Sequence, residues 1–420
     1  MKINLVSLGC PKNCVDSEKI LGALGASGSV ICACPEESDI IIINTCGFIE
    51  PAIRETEEEI EKALQLASKT KKRVFVYGCA VNRAGPELKR KYPEVSAWFT
   101  QEQQSVLLRA IEPKATTLQS RLVTTQGYAY LKIAEGCSNR CSYCTIPAIK
   151  GEYHSFDFDS IIKEAIELSQ LGIKELILIA QDTTRYGIDR YDRHMLVPLI
   201  RNLSKIDGIQ WIRIMYSHPL TITEEIIDEI ASNNKVCRYL DIPIQHINNR
   251  ILQLMNRKVD RKRIEYVIHA LRKVEGIYLR TTVIAGFPTE TSYEFKELLQ
   301  YLTRTQFDWL GVFPYYCEPG TSASKLKQHS RSVIDNRYNV LSELQRAIIE
   351  EHNTERIGNM YKTLIHSQNG YYIGHTEHEA PDIDGQVIVK NKHLSIGEFY
   401  TLKITEIQGA DLHAYAEIAE

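Results

Sequence analysis

The sequence predicts a multidomain α/β protein: an N-terminal open parallel α/β sheet, a central partial (β/α)6 barrel, and a small antiparallel β-barrel of OB-like form at the C-terminus. Three observations lead there. Residues 1 to about 110 alternate short β-rich runs with helical patterns, six further strand-like runs with helical patterns between them follow, and the tail holds five short runs separated by glycine turns. The boundaries fall at 1–112, 123–356 and 357–420, with a polar, uneven segment between the first two parts.

The totals narrow the function classes. No apolar run approaches the ~18 residues of a membrane-spanning helix, and the start MKINLVSLG runs into Cys10-Pro11-Lys12-Asn13 without a cleavable signal pattern. A cytoplasmic protein with no membrane partner is expected. Eleven cysteines, an odd number scattered along 420 residues, point to reduced thiols as metal ligands in preference to a disulfide framework. A net charge of −3 gives no global drive toward nucleic acid, which argues against direct binding of RNA or DNA.

In the first part the runs INLVSL, IIIIN and VFVYG each lead to a cysteine: Cys10, Cys46 and Cys79. The carboxyl ends of parallel strands share one edge, so these three thiols should converge although they lie far apart in sequence. A single cysteine at a strand end is most simply a small buried hydrophobe. Three in equivalent positions suggest a ligand set. Cys14, Cys32, Cys34, Cys237 and Cys317 lack that regularity and read as structural.

The second part opens with YAYLKIAE and then IAEGCSNRCSYCTIPAIKG, residues 133–151, where Cys137, Cys141 and Cys144 follow a CxxxCxxC spacing. A helical stripe is the plain alternative, but Gly136, the polar Ser138-Asn139-Arg140 and the nearby Pro147 favour a loop. A structural zinc site needs a fourth ligand, and no second CxxC or neighbouring Cys/His pair supplies one. Three thiolates round an iron-sulfur cube leave one iron open, which S-adenosylmethionine (SAM) can chelate through its amino and carboxylate groups. Barrel sites lie at the carboxyl ends of strands, so further candidates are Gln181-Asp182-Thr183, Ser217-His218, Gln245-His246 and Gly286-Phe287-Pro288. Each has an ordinary reading as a cap, a satisfied core histidine or a turn.

Residues 328–356 form a charged helical stretch that closes the barrel and leads out of it, its charges read as a solvated face. The tail runs KTLIHS, YYIGHT, GQVIVK, FYTLKITEI and LHAYAEI, with turns at Asn369-Gly370, Asp384-Gly385 and Gly397, read as short strands.

With Tyr143 before its last cysteine, the CxxxCxxC motif is similar to the radical SAM signature. Preceded by Gly9-Cys10-Pro11-Lys12-Asn13-Cys14-Val15-Asp16-Ser17-Glu18, Asn44-Thr45-Cys46 and Gly78-Cys79, the order resembles the radical SAM methylthiotransferases. Cys-Pro-Lys-Asn and APDIDGQV resemble the RimO type of that family, the ribosomal protein aspartate methylthiotransferases. The likeness covers nearly the whole chain. It implies an auxiliary 4Fe-4S cluster on Cys10, Cys46 and Cys79, a second 4Fe-4S cluster on Cys137, Cys141 and Cys144, and a C-terminal TRAM domain. It also implies SAM contacts at Tyr143, at Gln181, Asp182 and Thr183 (AQDTTRYG), and at Gly286, Phe287 and Pro288 (VIAGFPTET). Where relatives show arginines in an RGxxRSR segment, this chain has Lys150-Gly151 and His154-Ser155-Phe156.

The implied reaction replaces an unactivated C–H by C–S–CH3 on the β-carbon of an aspartate in small-subunit ribosomal protein twelve. Acid–base catalysis does not reach so weak a carbon acid, so hydrogen-atom abstraction is the sensible route. SAM serves as methyl donor and as radical source, and an electron donor such as flavodoxin or ferredoxin is implied. Two other readings stay open: the same chemistry on a tRNA base, and a non-catalytic iron-sulfur protein that senses redox state or tethers a partner. From residue 358 onward there are 4 basic and 9 acidic residues. Glu377, Glu379, Asp382 and Asp384 among them are expected to dock a basic protein instead of RNA.

Overall fold

A computed structural model of the chain describes residues 1–115, 121–390 and 393–416. The chain forms two compact units. The first comprises residues 1–124 with the returns 136–140 and 144–152; the second comprises 125–135, 141–143 and 153–420.

The first unit is built on a parallel sheet of β1 (Lys2–Ser7), β2 (Val30–Ile31), β3 (Ile40–Thr45), β4 (Arg73–Gly78) and β5 (Ala97–Phe99), in the order β2-β1-β3-β4-β5. The three apolar runs of the sequence are β1, β3 and β4. The short edge strands β2 and β5 carry too few residues to show a period. Central β3 is buried along its whole length, as a parallel strand covered on both faces must be. Its residues alternate between two cores. Ile40 and Ile42 pack with Ile20, Leu24 and Leu107, while Ile41 and Ile43 pack with Ile60, Val81 and Leu88. These partners come from α1 (Pro11–Ala26), α2 (Glu50–Lys69), α3 (Cys79–Lys91) and α4 (Gln104–Ile111). The register pairs Ser7 with Asn44 and Thr45 with Gly78, so three strands end level at one edge.

The second unit holds β6 (Tyr128–Lys132), the small antiparallel pair β7 (Ala134–Glu135) and β8 (His154–Ser155), and then β9 (Glu175–Ile179), β10 (Trp211–Ile214), β11 (Val236–Asp241), β12 (Tyr278–Ala285) and β13 (Trp309–Pro314). Its main sheet runs β13-β12-β11-β10-β9-β6, parallel throughout. Sequential neighbours joined by helices make this the expected partial (β/α)6 barrel. The helix Arg331–Arg356 leads to β14 (Met360–Asn369), β15 (Tyr371–Thr376), β16 (Val387–Val389), β17 (Phe399–Gln408) and β18 (Asp411–Ala416). These five close into a barrel in the order β14-β15-β16-β18-β17, which leaves no edge strand. Its core is Ile365, Val387, Val389, Leu402, Ile404 and Leu412.

The connection from β15 to β16 corrects the reading of the tail's acids. Arg213, fully buried on β10, donates to Glu175 Oε1 at 2.7 Å and to the backbone oxygens of Glu377 (2.8 Å) and Thr376 (3.1 Å). Glu379 is 1% exposed and paired with Arg356. Asp384 accepts from Tyr239 Oη at 2.7 Å and Arg280 Nε at 3.1 Å, Asp382 from Tyr128 Oη at 2.6 Å, and Glu377 from the Arg238 amide at 3.0 Å. Of the four acids expected to dock a basic protein, Glu379 and Asp384 have buried side chains paired with arginines, whereas Glu377 is half-buried and Asp382 exposed, each accepting a hydrogen bond within the second unit. Composition counts charges without their partners, and here the (β/α)6 sheet and the helix Arg331–Arg356 supply the partners. Of the other charges counted in the tail, Lys392, Glu417 and Glu420 lie outside the described residues.

Candidate active site

At the level edge of the first unit, β1 leads through Gly9 to Cys10, β3 to Cys46 and β4 to Cys79. Asn13, fully buried in the first turn of α1, ties the edge together. Its Nδ2 donates to Leu8 O at 3.1 Å and Thr45 O at 2.9 Å, and its Oδ1 accepts from Cys79 Sγ at 3.6 Å. Asn44 Nδ2 returns a bond of 2.9 Å to Asn13 O, and Ala80 N–H reaches Thr45 Oγ1 at 3.1 Å. Gly9 has φ +85°, and a Cβ there would lie 2.8 Å from Cys46 Sγ, so only glycine lets the chain pass that thiol. Burial pushes the Cys79 thiol up to about 12; nearby Lys150 opposes this, while Cys10 and Cys46 add to it. Cys46 is raised as well, chiefly by burial, with Cys10 contributing. Three thiols within one another's electrostatic reach fit a metal cluster, whose positive charge would displace their protons.

The CxxxCxxC segment is a loop from Gly136 to Thr145, followed by the short α5 (Ile146–Lys150). Cys137 N–H bonds Gly151 O at 3.1 Å, and a Cβ on Gly136 would lie 2.1 Å from Glu152 O. Cys144 Sγ accepts from the Ile146 amide at 3.4 Å. In the second unit, Cys141 Sγ accepts from Arg257 Nη1 at 3.7 Å. Nitrogen donors on sulfur suit thiolate ligands, whose charge they offset. Among the described residues no three His, Cys, Asp or Glu side chains converge on one metal ion, whereas the ligands of a cube bind different irons. None of the eleven cysteines is taken up in a disulfide.

The other candidates lie at the carboxyl ends of the second unit's strands. Tyr143 meets the ring of Phe287 edge-on at 6.4 Å, and Phe287 meets Tyr315 at 5.7 Å. Phe287 and Pro288 are buried, and a Cβ on Gly286 would lie 2.8 Å from Ile334, so this segment packs tightly against the helix Arg331–Arg356. Gln181 Nε2 donates to Glu135 Oε1 at 2.9 Å, and Asp182 Oδ1 accepts from Thr184 Oγ1 at 3.1 Å. Gln181 Oε1, Thr183 Oγ1, Ser142 Oγ and Arg257 Nε are buried polar atoms without a protein partner. Such atoms at one rim fit the several hydrogen-bonding groups of SAM. His246 differs. Its ring is satisfied by Glu290 Oε1 at 2.9 Å and the Asn248 amide at 2.9 Å, the ordinary core histidine.

Sequence reasoning missed Arg257, whose neighbours Asn256 and Lys258 carry no motif, and it saw in Lys150 only a departure. Lys150 Nζ lies 3.6 Å from Asp16 Oδ2, which places a cation near Cys79. Nothing local in Ile-Lys-Gly announces that role.

A six-stranded parallel half-barrel, with a three-cysteine loop after its first strand and unmatched polar groups at its strand ends, is the architecture of a radical SAM enzyme. Residues 131–302 match the radical SAM superfamily, residues 2–100 the uncharacterized protein family UPF0004, and residues 357–416 the TRAM domain. SAM and a 4Fe-4S cluster are thus its cofactors. Proteins described as ribosomal protein uS12 methylthiotransferase RimO are 42% identical in Thermoanaerobacter sp. (strain X514), over 98% of each chain, and 44% identical in Clostridium kluyveri, over 98% of this chain and 97% of that one. The same description applies to a protein of Aquifex aeolicus, 41% identical over 98% of this chain and 96% of that one. The chain belongs to this methylthiotransferase family. In fold it is similar to the methyltransferase TsrM of Kitasatospora setae, with a TM-score of 0.56 at 16% identity over 77% of this chain and 76% of that one. No helix among the described residues is long and apolar enough to cross a membrane.

Proposed function

We propose that the chain inserts a methylthio group at the β-carbon of an aspartate in small-subunit ribosomal protein twelve, acting in the cytoplasm with reduced flavodoxin or ferredoxin as electron donor. One observation carries the reading. The chain has two separate sets of three cysteines, one at a sheet edge held by Asn13 and one in the CxxxCxxC loop. A reaction that must both open a C–H bond and deliver sulfur needs both. Cys10, Cys46 and Cys79 hold the auxiliary 4Fe-4S cluster; Cys137, Cys141 and Cys144 hold the cluster that binds SAM. When bound, the clusters and SAM supply hydrogen-atom abstraction, sulfur and methyl.

The protein's part is to orient and to tune. Asn13 fixes the spacing of the three strand ends, and the Lys150 charge eases ionisation of the buried Cys79 thiol. Arg257 and the Ile146 amide offset negative charge on Cys141 and Cys144. In this reading Tyr143 and the segment Gly286–Pro288, whose Phe287 ring meets Tyr143, would supply apolar contacts to SAM, and Gln181, Asp182 and Thr183 polar ones.

Two variants test the assignment. Replacing Cys137, Cys141 and Cys144 together by Ala should leave about four of eight irons and abolish release of 5′-deoxyadenosine from SAM. Replacing Cys10, Cys46 and Cys79 should stop methylthiolation while 5′-deoxyadenosine still forms. Mass spectrometry of ribosomal protein twelve and of tRNA, with and without the enzyme, decides the substrate. A methylthio group found on tRNA alone would overturn the reading.

A further inference from the structure

The carboxyl ends of β9 and β10 hold buried polar atoms that the proposed reaction has not yet used. Thr183 N–H bonds Tyr216 O at 3.0 Å and His218 N–H bonds Thr184 Oγ1 at 3.1 Å, so residues 183–185 and 216–218 lie side by side. Within them Arg185 Nε, Ser217 Oγ and His218 Nε2 are buried and have no protein partner. Ser217 is 4% exposed and His218 5%. An unsatisfied buried polar group is costly, and three at one place ask for a ligand.

Backbone strain marks the same place. Tyr216 has φ +59°, a left-handed conformation held by its N–H bond to Asp241 Oδ2 at 3.0 Å. For a residue other than glycine this conformation is strained, and such strain gathers where ligands are clamped.

The donors have a definite character. His218 Nδ1 accepts from the Leu220 amide at 3.2 Å, so the neutral ring carries its proton on Nε2. Burial, then the charges of Arg257 and Arg185, push its pKa down to about 2, so the ring stays neutral at working pH. Arg185 Nε is a donor only, and the Ser217 hydroxyl donates as readily as it accepts. Asp182, the acid next to Thr183, already receives the hydroxyls of Thr184 and Thr221, at 3.1 and 3.4 Å. Donors without a competing acceptor, beside a guanidinium, suit a carboxylate.

We infer that Arg185, Ser217 and His218 form the subsite that receives the side-chain carboxylate of the substrate aspartate. This rests on the methylthiotransferase reading and deepens it. The carbon that loses its hydrogen is bonded to that carboxylate, so gripping the carboxylate fixes which hydrogen faces the SAM cleft. Asparagine, of the same shape, would forfeit the charge-assisted bonds and place an amide N–H against donors.

The test uses the holoenzyme with a peptide carrying the target aspartate and its asparagine counterpart. The wild type should act on the aspartate peptide with about tenfold or greater preference. R185Q and H218Q should each raise the peptide KM about tenfold or more, and the aspartate preference should fall toward one while SAM affinity is retained. A wild type that treats both peptides alike would overturn the subsite, whether or not the variants fold. So would variants that weaken SAM binding and leave peptide affinity and preference intact, since the carboxylate held there would then be that of SAM. Failure of the wild type to methylthiolate any peptide or intact ribosomal protein twelve would instead refute the proposed function, and the subsite with it.

Discussion

Asn13 shows how much one amide can organise. Its side chain spends both hydrogens on carbonyls of two strand ends and its oxygen on a thiol, and its own carbonyl is held by Asn44. Asn13→Ala leaves buried acceptors unpaired and should cost about 2–4 kcal/mol. Thermal unfolding should move down, and iron retention should fall at the N-terminal site while the CxxxCxxC site keeps its share. Iron analysis of the variant combined with the Cys137, Cys141 and Cys144 replacements checks this, and undiminished iron would refute the role. The cysteines at this edge were legible because three strands, each with its own apolar period, end in the same residue type. The work of Asn13 was not. Hydrogen bonds to Leu8 and Thr45 depend on a register that no local pattern encodes.

At the scale of elements, the β15–β16 connection carries buried charge in Glu379 and Asp384. Burial alone would raise the Glu379 carboxyl, but Arg356 overrides this and holds it at about 2, against an ordinary 4.5. Glu175 is likewise raised by burial and drawn down to about 2 by Arg213 and then His375. A depressed carboxyl contributes stability that is complete above its unfolded value and is lost as pH falls through the folded one. Acid unfolding should therefore steepen between pH 4.5 and 2, each group contributing on the order of 3 kcal/mol. Glu379→Gln should unfold more easily at neutral pH, by about 3–5 kcal/mol, because Arg356 is left buried and unpaired. Its pH dependence in that window should be shallower than the wild type's. Circular dichroism at a series of pH values reads both effects, and an unchanged slope would count against the pairing.

For the whole molecule, the strand count of the central sheet and the closed five-stranded barrel were readable from period and turn residues. The shared interior of these two β-structures was not, since it rests on pairs such as Arg213 with Thr376 and Arg280 with Asp384, far apart in sequence. Strand patterns mark where chain segments are apolar. They do not say which arginine on one strand waits for which carbonyl on a distant loop. A chain ending at residue 356 should therefore fail as a free-standing enzyme. It would leave Arg213 and Arg280 without their distant partners and strip Trp309 Nε1 of its 2.8 Å bond to His378 O. Low solubility and loss of cooperative unfolding are expected, and a truncated chain that unfolds cooperatively and cleaves SAM at the full rate would disprove this.

The same pairing sets a clock on synthesis. Arg213 and its acceptor Thr376 are separated by 163 residues, a stretch that translation covers in roughly 10–30 s. Throughout that interval the β10 guanidinium has Glu175 beside it in sequence order but none of the carbonyls that complete its shell. Until residues 376 and 377 have been made, that guanidinium must therefore keep water in place of the two carbonyls.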